Sequence, residues 1–205
     1  MSEPEKTALL VDWGGVLTTD LFQSFRGFCE EHGLDQEAIG NAFRTDPKAQ
    51  ELLFDLECGR IGEAEFEPYF GEMLGVSGEG LIDGLFRRIE PDHLMIGAVR
   101  AARQAGIPTG LVSNSWGTRR YPQDLLEELF DGVVISGLEG MRKPALEIYV
   151  LGAERAGVAT ADCVFVDDLH FNLDPARELG MEAIHHTDSE VTVAELERLL
   201  GTTLR

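Results

Sequence analysis

Five short, almost wholly apolar runs are spread along the chain, and they constrain its fold more than any other feature of the sequence. The runs are 8–11, 110–112, 133–135, 164–166 and 181–184. Runs of this length without polar alternation are typical of strands buried on both faces, as in a parallel sheet. Helical patterns lie between the later runs. One apolar stripe extends from Leu94 to Ala105 and ends at Gly106, and another begins at Pro144 and ends at Gly157. We therefore predict an α/β fold with a doubly wound, mostly parallel, Rossmann-like sheet.

This alternation is interrupted between the first two runs. No segment there resembles a strand, and the apolar residues recur with helical spacing up to Gly33 and again up to Gly75. We predict a small all-helical cap inserted after the first strand, at residues 20–90. Residues 1–19 and 91–205 would then form the Rossmann-like core domain.

The charge balance excludes several classes of partner. The 205 residues include 17 Lys and Arg against 37 Asp and Glu, a formal net charge of −20 at pH 7. Such a field repels nucleic-acid phosphates and anionic lipid. No apolar run approaches the roughly 20 residues that a membrane span requires. We therefore predict that the chain binds neither nucleic acid nor a membrane.

Cysteine usage and the N-terminal segment bear on the cellular compartment. Cys29, Cys58 and Cys163 are far apart and form no CxxC motif, which is typical of reduced thiols. Residues 1–6 are acidic and lack the apolar stretch of a secretory leader. We expect a cytoplasmic protein.

Polar residues follow several of the apolar runs. Asp12 follows the first run, Ser113 and Asn114 follow the second, and Asp167 with Asp168 follows the fourth. In open α/β sheets, ligands bind beyond the carboxyl ends of the strands. We therefore expect these side chains to meet at one edge of the sheet and to form the functional site.

The charges of these residues indicate a metal ion. Asp12, Asp167 and Asp168 would bring three negative charges together, and Lys143, just before a predicted helix, would return one positive charge. Two carboxylates about 5 Å apart repel by roughly 3 kcal/mol at an effective dielectric constant of about 20. A divalent cation removes this repulsion, and carboxylate oxygens suit Mg²⁺. We therefore predict Mg²⁺ as the cofactor.

The same segments resemble the four motifs of the haloacid dehalogenase-like (HAD) hydrolase superfamily, in order and at compatible spacings. The motif segments are 10–17, 111–114, 142–149 and 165–181. The last segment and the glycines after Asp12 are similar to the phosphatase domain of mammalian soluble epoxide hydrolases. The helical insertion matches the cap of many members, and residues 57–61 resemble a recurrent cap segment.

The resemblance implies catalysis through an aspartyl-phosphate. By position, Asp12 would be the nucleophile, while Ser113 and Lys143 would hold the phosphoryl oxygens as charge redistributes. The implied metal site consists of Asp12, the main-chain carbonyl of Gly14 and Asp168, with Asp167 and Asn172 in or near its outer shell. The substrate is expected to contact Gly14, Gly15, Asn114 and the cap residue Glu57.

One position departs from the pattern of the family. Its phosphatases usually carry a second Asp two residues after the nucleophile, where it protonates the leaving alcohol and then activates water. Here that position is Gly14. General acid–base assistance is worth about 10²–10⁴-fold in rate. Three explanations are open: a substrate with a good leaving group, a replacement by Asp20, His170 or Glu57, or a protein that no longer turns over.

The leading hypothesis is a Mg²⁺-dependent phosphatase of a small phosphorylated metabolite, with the cap selecting the substrate. One alternative is a metal-independent 2-haloacid dehalogenase, because halide needs no proton to leave. Another is a catalytically silent relative that binds a phosphorylated ligand or a protein partner. A homodimer formed through the cap is left open.

Overall fold

The computed structural model describes residues 6–205, and its centre is a sheet of five parallel strands in the order β3-β2-β1-β4-β5. The strands are β1 (Ala8–Val11), β2 (Thr109–Ser113), β3 (Gly132–Ile135), β4 (Cys163–Asp167) and β5 (Glu182–His185). Each of the five predicted runs forms a strand. The prediction of an α/β fold with a doubly wound parallel sheet is therefore confirmed.

Helices cover both faces of this sheet. One face packs against α6 (His93–Gln104), α7 (Gln123–Leu129) and α11 (Ser189–Leu200), and the other against α9 (Leu146–Arg155) and α10 (Leu173–Glu178). A short helix, α8 (Ser136–Glu139), follows β3. Along β1, Leu9 and Val11 belong to one core while Ala8 and Leu10 belong to the other. Alternation of side chains across a strand produces this division.

Helix α9 begins later than the sequence predicts. Its first residue is Leu146 rather than Pro144, because residues 142–145 form a turn in which the amide of Ala145 donates to the carbonyl of Arg142 at 3.0 Å. Lys143 therefore lies in the turn before the helix, in agreement with its predicted place just before the helix.

Between β1 and α6 the chain forms five helices and no strand. They are α1 (Leu21–Glu31), α2 (Ala38–Thr45), α3 (Pro47–Glu57), α4 (Glu63–Leu74) and α5 (Leu81–Phe86). They share a hydrophobic cluster of their own, separate from the two cores of the sheet. The chain leaves and re-enters the sheet region at one place, where Thr18 bridges to Pro91. These helices are the segment predicted as the cap, and we refer to them by that name.

Aspartates at helix starts explain several of the helix boundaries. The carboxylates of Asp20, Asp46, Asp92 and Asp188 accept hydrogen bonds from amides in the first turns of α1, α3, α6 and α11. Such N-caps satisfy amides that have no partner within the helix. The cap segment and the sheet region therefore use the same local signal.

Three expectations about membrane binding and the cellular setting meet the structure differently. Within residues 6–205, no helix combines the length and the apolar character needed to cross a membrane. Residues 1–5, which hold most of the segment judged to be no secretory leader, lie outside the described residues. The three cysteines are buried and form no disulfide.

Candidate active site

The polar residues that follow β1 and β4 meet at the carboxyl edge of the sheet. The register pairs Val11 with Val166, and the amide of Asp12 donates to the carbonyl of Val166 at 2.9 Å. One oxygen from each of Asp12, Asp167 and Asp168 lies within 4.8 Å of the others. The side chains that the sequence predicts to converge are therefore brought together.

Lys143 occupies the centre of this group. Its ammonium is fully buried, 2.8 Å from Oδ2 of Asp12 and 2.6 Å from Oδ2 of Asp167. Burial lowers the pKa of Lys143, but the two adjacent carboxylates outweigh burial and hold that pKa above its usual value. Lys143 is therefore charged at neutral pH. We call Asp12, Lys143, Asp167 and Asp168 the charged cluster.

Burial raises the pKa of Asp12 above its ordinary value, while Lys143 opposes this shift. The amide of Trp13 donates to Oδ1 of Asp12 at 2.7 Å. One oxygen of Asp12 is therefore held by the backbone of its own loop and the other by Lys143. The carboxylate faces the cavity described below and is only 7% exposed.

Asn114 fixes the backbone of Lys143 from both sides. Its Oδ1 accepts from the amide of Lys143 at 2.8 Å, and its Nδ2 donates to the carbonyl of Lys143 at 3.1 Å. These two bonds make Asn114 a positioning residue for Lys143. Contact of Asn114 with a substrate stays a prediction.

Both oxygens of Asp167 already have donors. Oδ1 accepts from the amide of Leu169 at 2.8 Å and from Nδ2 of Asn172 at 2.9 Å, while Oδ2 accepts from Lys143 and from Asn172. Asp167 therefore holds Lys143 and shapes the loop after β4. Its membership of a metal ligand set stays a prediction.

Asp168 differs from Asp167 in having a buried oxygen without a partner. Its Oδ1 receives no hydrogen bond from the residues that the structure describes. Burial, followed by the charges of Asp12 and Asp167, raises the pKa of Asp168 to about 8. Gly15 lies against this carboxylate, because a Cβ there would come within 2.3 Å of Oδ2, and its φ of +70° also favours glycine.

These observations fit a divalent cation. When its three carboxylates are ionised, the charged cluster carries two negative charges that the single ammonium leaves uncompensated, and the unpartnered oxygen belongs to one of these carboxylates. Carboxylate oxygens at this spacing form the donor set that Mg²⁺ prefers. The cluster is therefore suited to hold Mg²⁺ through Asp12 and Asp168.

Ser113 bonds to a tyrosine that the sequence analysis missed. Its Oγ lies 3.0 Å from the hydroxyl of Tyr121, and the ring of Tyr121 packs 5.4 Å from that of Trp13. Tyr121 comes eight residues after Ser113, in an irregular segment. Only its hydroxyl group could have signalled a polar role, because no spacing rule connects the two positions.

Glu57, at the end of α3, brings a carboxylate of the cap next to the residues that surround the charged cluster. Its carboxylate accepts from Nε1 of Trp116 at 3.2 Å and pairs with Arg142 at 2.5 Å. Burial raises the pKa of Glu57 to about 7 against the opposing charge of Arg142. The main-chain carbonyl of Glu57 also accepts from Ser136 Oγ at 2.5 Å. This end of α3 is therefore fixed to the core.

The other predicted site residues are placed as follows. The amide of Gly15 already donates to Oγ1 of Thr18 at 3.1 Å, so its contact with a substrate stays a prediction. Asp20 is exposed and caps α1. His170 is exposed, with its ring 5.6 Å from that of His185. Neither Asp20 nor His170 lines the cavity above Asp12.

A large cavity of about 1030 Å³ separates the charged cluster from the cap. Asp12, Gly14, Ser113 and Asp168 line it on the side of the sheet. The side of the cap is mostly apolar, and its aromatic residues are Phe22, Phe25, Phe43 and Phe86. The helical spacing of the apolar residues in α1 predicts a helix but does not indicate that these residues line a cavity.

Trp116, which lies outside the cap, also belongs to the aromatic lining of the cavity. It follows β2 in the chain, yet its ring packs 5.4 Å from Phe25, 5.6 Å from Phe43 and 5.7 Å from Phe86. We call Phe25, Phe43, Phe86 and Trp116 the aromatic cluster. Aromatic contacts at these distances contribute beyond the area that they bury. The cluster therefore joins the cap to the core and forms the apolar wall of the cavity.

Comparisons with curated proteins agree with the motifs. The sesquiterpene phosphatase astK of Aspergillus oryzae is 32% identical over 152 residues, which are 71% of this chain and 77% of that protein. The bifunctional epoxide hydrolase 2 of Rattus norvegicus is 32% identical over 115 residues, which are 53% of this chain but only 21% of that protein.

Solved structures share the fold. The HAD family enzyme BT-2542 of Bacteroides thetaiotaomicron, in complex with magnesium and inorganic phosphate, has a TM-score of 0.65 at 24% identity, covering 89% of this chain and 94% of that chain. A HAD-like family hydrolase of Porphyromonas gingivalis has a TM-score of 0.69 at 23% identity, covering 96% and 98%. A family model of haloacid dehalogenase-like hydrolases matches residues 6–180. The chain therefore belongs to the haloacid dehalogenase-like hydrolases, as its four motifs predicted.

Proposed function

We propose that this hydrolase is a Mg²⁺-dependent phosphatase that acts on a phosphorylated small molecule through an aspartyl-phosphate at Asp12. The observation that carries the proposal is the charged cluster. Lys143 is buried between Asp12 and Asp167, and an unpartnered oxygen of Asp168 lies beside them. This arrangement suits a nucleophilic carboxylate, a cation for the phosphoryl oxygens and a metal ligand.

In the first step the carboxylate of Asp12 attacks phosphorus. A bond forms between an Asp12 oxygen and phosphorus, the bond from phosphorus to the leaving oxygen breaks, and the leaving oxygen keeps the electron pair. Water then attacks this phosphorus, the bond to Asp12 breaks with its electron pair returning to the carboxylate, and the proton that water loses passes to the released phosphate or to solvent. Lys143 and the hydroxyl of Ser113 would hold the phosphoryl oxygens. Asp12, Asp168 and the main-chain oxygen of Gly14 would hold Mg²⁺, which would supply positive charge to offset the charge of the phosphate.

The organic part of the substrate would fill the cavity between the charged cluster and the aromatic cluster. A volume of about 1030 Å³ exceeds what a phosphate alone needs, and the side of the cap is mostly apolar. The similarity to a sesquiterpene phosphatase agrees with an apolar organic group. We therefore propose that the phosphorylated small molecule carries a large apolar group.

A phosphate-release assay tests this function. Purified protein is supplied with organic phosphates of graded apolar size, with Mg²⁺ or with EDTA, as wild type and as Asp12→Asn. Asp174→Asn, at an exposed position on α10, is the matched control. We expect release that requires Mg²⁺, that is lost in Asp12→Asn and that persists in Asp174→Asn. No release from any substrate by the wild type, or release that persists in Asp12→Asn, would overturn the proposal.

If the protein were instead a metal-independent dehalogenase, it would release halide from a 2-haloacid without Mg²⁺. That chemistry leaves the carboxylates of Asp12, Asp167 and Asp168 repelling each other with only Lys143 to compensate. Chloride release from a 2-haloacid that persists in EDTA would favour this alternative over the phosphatase.

A catalytically silent relative is the second alternative, and Gly14 is the observation that favours it. Such a protein would bind a phosphate or aluminium fluoride at the charged cluster without turning over any organic phosphate. Substantial turnover that is abolished by Asp12→Asn excludes it.

A further inference from the structure

We propose that this site takes substrates whose leaving group departs without a proton from the enzyme, a phosphoric anhydride or the ester of an acidic alcohol, rather than an ordinary alkyl phosphate. The inference rests on the proposed phosphatase function and specifies its substrate class. Its basis is the surroundings of Gly14 together with the hydrogen-bond partners of the acids that line the cavity.

The space beside Gly14 is occupied by an apolar cap residue. A Cβ at position 14 would lie 2.7 Å from Cδ1 of Leu21, and the three nearest heavy atoms are all carbons of that side chain. Leu21 is the first residue of α1 and also lines the cavity. The cap therefore places a hydrocarbon group where a side chain from position 14 would extend, and no acid stands there.

Glu57 is the buried acid that could most readily replace the missing one, but its two oxygens already accept. Oε1 takes the indole N–H of Trp116 at 3.2 Å, and Oε2 takes the guanidinium of Arg142 at 2.5 Å. A carboxylic acid that protonates a leaving group must direct its own O–H at that group. Both contacts of Glu57 instead match an accepting carboxylate.

Asp168 also lines the cavity beside Asp12, but its unpartnered oxygen is assigned to the metal, and the remaining acidic groups have partners or are exposed. Asp83 accepts from Arg119 at 2.5 Å and from Arg120 at 2.6 Å. The hydroxyl of Tyr121 bonds to Ser113, and burial raises the pKa of Tyr121. Glu90 is exposed at the junction of cap and core. None of these three places a free buried acid beside Asp12.

Without an acid to protonate the leaving group, the stability of that group as an anion determines which substrates react. When Asp12 displaces a phosphate ester from an anhydride, the electron pair goes to an oxygen that is already stable as an anion. The departing group then takes its proton from water outside the site. An alkyl alcohol would have to leave as an alkoxide, which is a far stronger base. Loss of the general acid therefore costs the alkyl ester about 10²–10⁴-fold and the anhydride much less.

Two probes with one apolar tail test the inference: dodecyl phosphate and dodecyl diphosphate, each with Mg²⁺. We expect the kcat/KM for phosphate release to be at least about 10²-fold higher for the diphosphate. One equivalent of phosphate should be released from each diphosphate, and dodecyl phosphate should accumulate. The pair 4-nitrophenyl phosphate and phenyl phosphate tests the acidic-alcohol class, and the ester of the more acidic nitrophenol should be cleaved faster.

Variants at position 14 sharpen the test. Gly14→Asp with Leu21→Ala supplies an acid and the room for it, and Gly14→Asn with Leu21→Ala is matched in size without a proton to donate. We expect the ratio of diphosphate to monophosphate kcat/KM to fall at least about 10-fold in the Asp variant relative to the Asn variant. Using the ratio cancels any damage that the two double variants share.

Three results overturn the inference. The first is equal cleavage of dodecyl phosphate and dodecyl diphosphate by the wild type. The second is a selective loss of dodecyl phosphate cleavage in Glu57→Gln or Glu90→Gln, which would identify an acid. The third is an unchanged ratio in the position-14 variants. Absence of phosphate from all four probes would instead contradict the proposed function itself.

Discussion

The charged cluster and the aromatic cluster face one cavity from opposite sides, but different forces hold them. The charged cluster depends on a few directed contacts, among them the ion pairs of Lys143 at 2.8 and 2.6 Å. The aromatic cluster depends on many weak contacts between rings 5.4 to 5.7 Å apart. Under the proposed function the two clusters have separate duties: the first would perform the chemistry, and the second would select the substrates that reach it.

The largest expected effect is at Lys143. Lys143→Met leaves the buried carboxylates of Asp12 and Asp167 without their cation, and breaking a buried ion pair costs about 3–5 kcal/mol. We expect this loss in the free energy of unfolding, measured by urea denaturation, together with loss of turnover. Lys48→Met, which removes an exposed pair with Glu51, is the control and should change the midpoint little. Equal effects of the two variants would contradict the importance of the charged cluster.

Magnesium should stabilise the protein through the charged cluster alone. At a magnesium concentration a hundredfold above Kd, binding adds about 2.7 kcal/mol, which corresponds to a rise in Tm of roughly 5–10 °C for a domain of this size. Asp168→Asn should greatly reduce this rise, whereas Trp116→Phe should retain it. A full rise in Asp168→Asn would exclude Asp168 as a ligand.

The pH dependence of that stability has a definite sign. Without metal, the pKa of Asp168 is raised to about 8 from an ordinary value of 3.8, so the folded state binds a proton more tightly than the unfolded state does. This contribution to stability is complete below about pH 4 and is lost as pH rises towards 8. Thermal melts should therefore show a larger magnesium-dependent rise in Tm at pH 8 than at pH 5. A rise that is independent of pH would contradict this assignment.

The aromatic cluster should change selectivity rather than chemistry. Trp116→Ala removes the ring that contacts Phe25, Phe43 and Phe86, and we expect the ratio of kcat/KM for a long-tailed over a short-tailed phosphate to fall about tenfold, or about 1.4 kcal/mol. Trp116→Phe keeps a ring and loses the hydrogen bond to Glu57, so it should retain most of the ratio. If kcat/KM falls equally for the long-tailed and the short-tailed phosphate in Trp116→Ala, the aromatic cluster does not determine selectivity.

The smallest effect is expected at Tyr121, which contacts Ser113 and Trp13. Tyr121→Phe removes the hydrogen bond to Ser113 and keeps the ring beside Trp13. A neutral hydrogen bond is worth about 0.5–1.5 kcal/mol, so kcat should fall roughly 2–12-fold with the tail selectivity unchanged. Changed selectivity with unchanged kcat would assign Tyr121 to the apolar wall instead.

The two clusters also differ in how far the sequence predicts them. Asp12 and Asp167 follow directly from strand ends, since parallel strands bring their carboxyl ends to one edge. The sheet, its parallel strands and the all-helical segment follow from periodicity. The roles of individual acids do not, because adjacent Asp167 and Asp168 differ only in which donors the folded loop directs at them.

The aromatic cluster could not be predicted, since its members come from three helices and one loop. Phe25 belongs to an apolar stripe that is equally typical of plain packing, and nothing in its spacing indicates that it borders a cavity. Trp116 follows β2 in the chain but packs against residues of the cap. Such a contact depends on how the cap packs against the sheet region. Periodicity describes one helix at a time, so contacts of this kind require coordinates.

The most direct test of the account is to locate the phosphoryl group during turnover. Protein mixed with 4-nitrophenyl phosphate and Mg²⁺ is quenched in acid at successive times and mapped by peptide mass spectrometry. We expect one phosphoryl group on Asp12, gained as nitrophenol is released and absent from Asp12→Asn. Phosphate released in a single turnover with Asp12 unmodified at every time, or a phosphoryl group on another residue, would contradict the central claim.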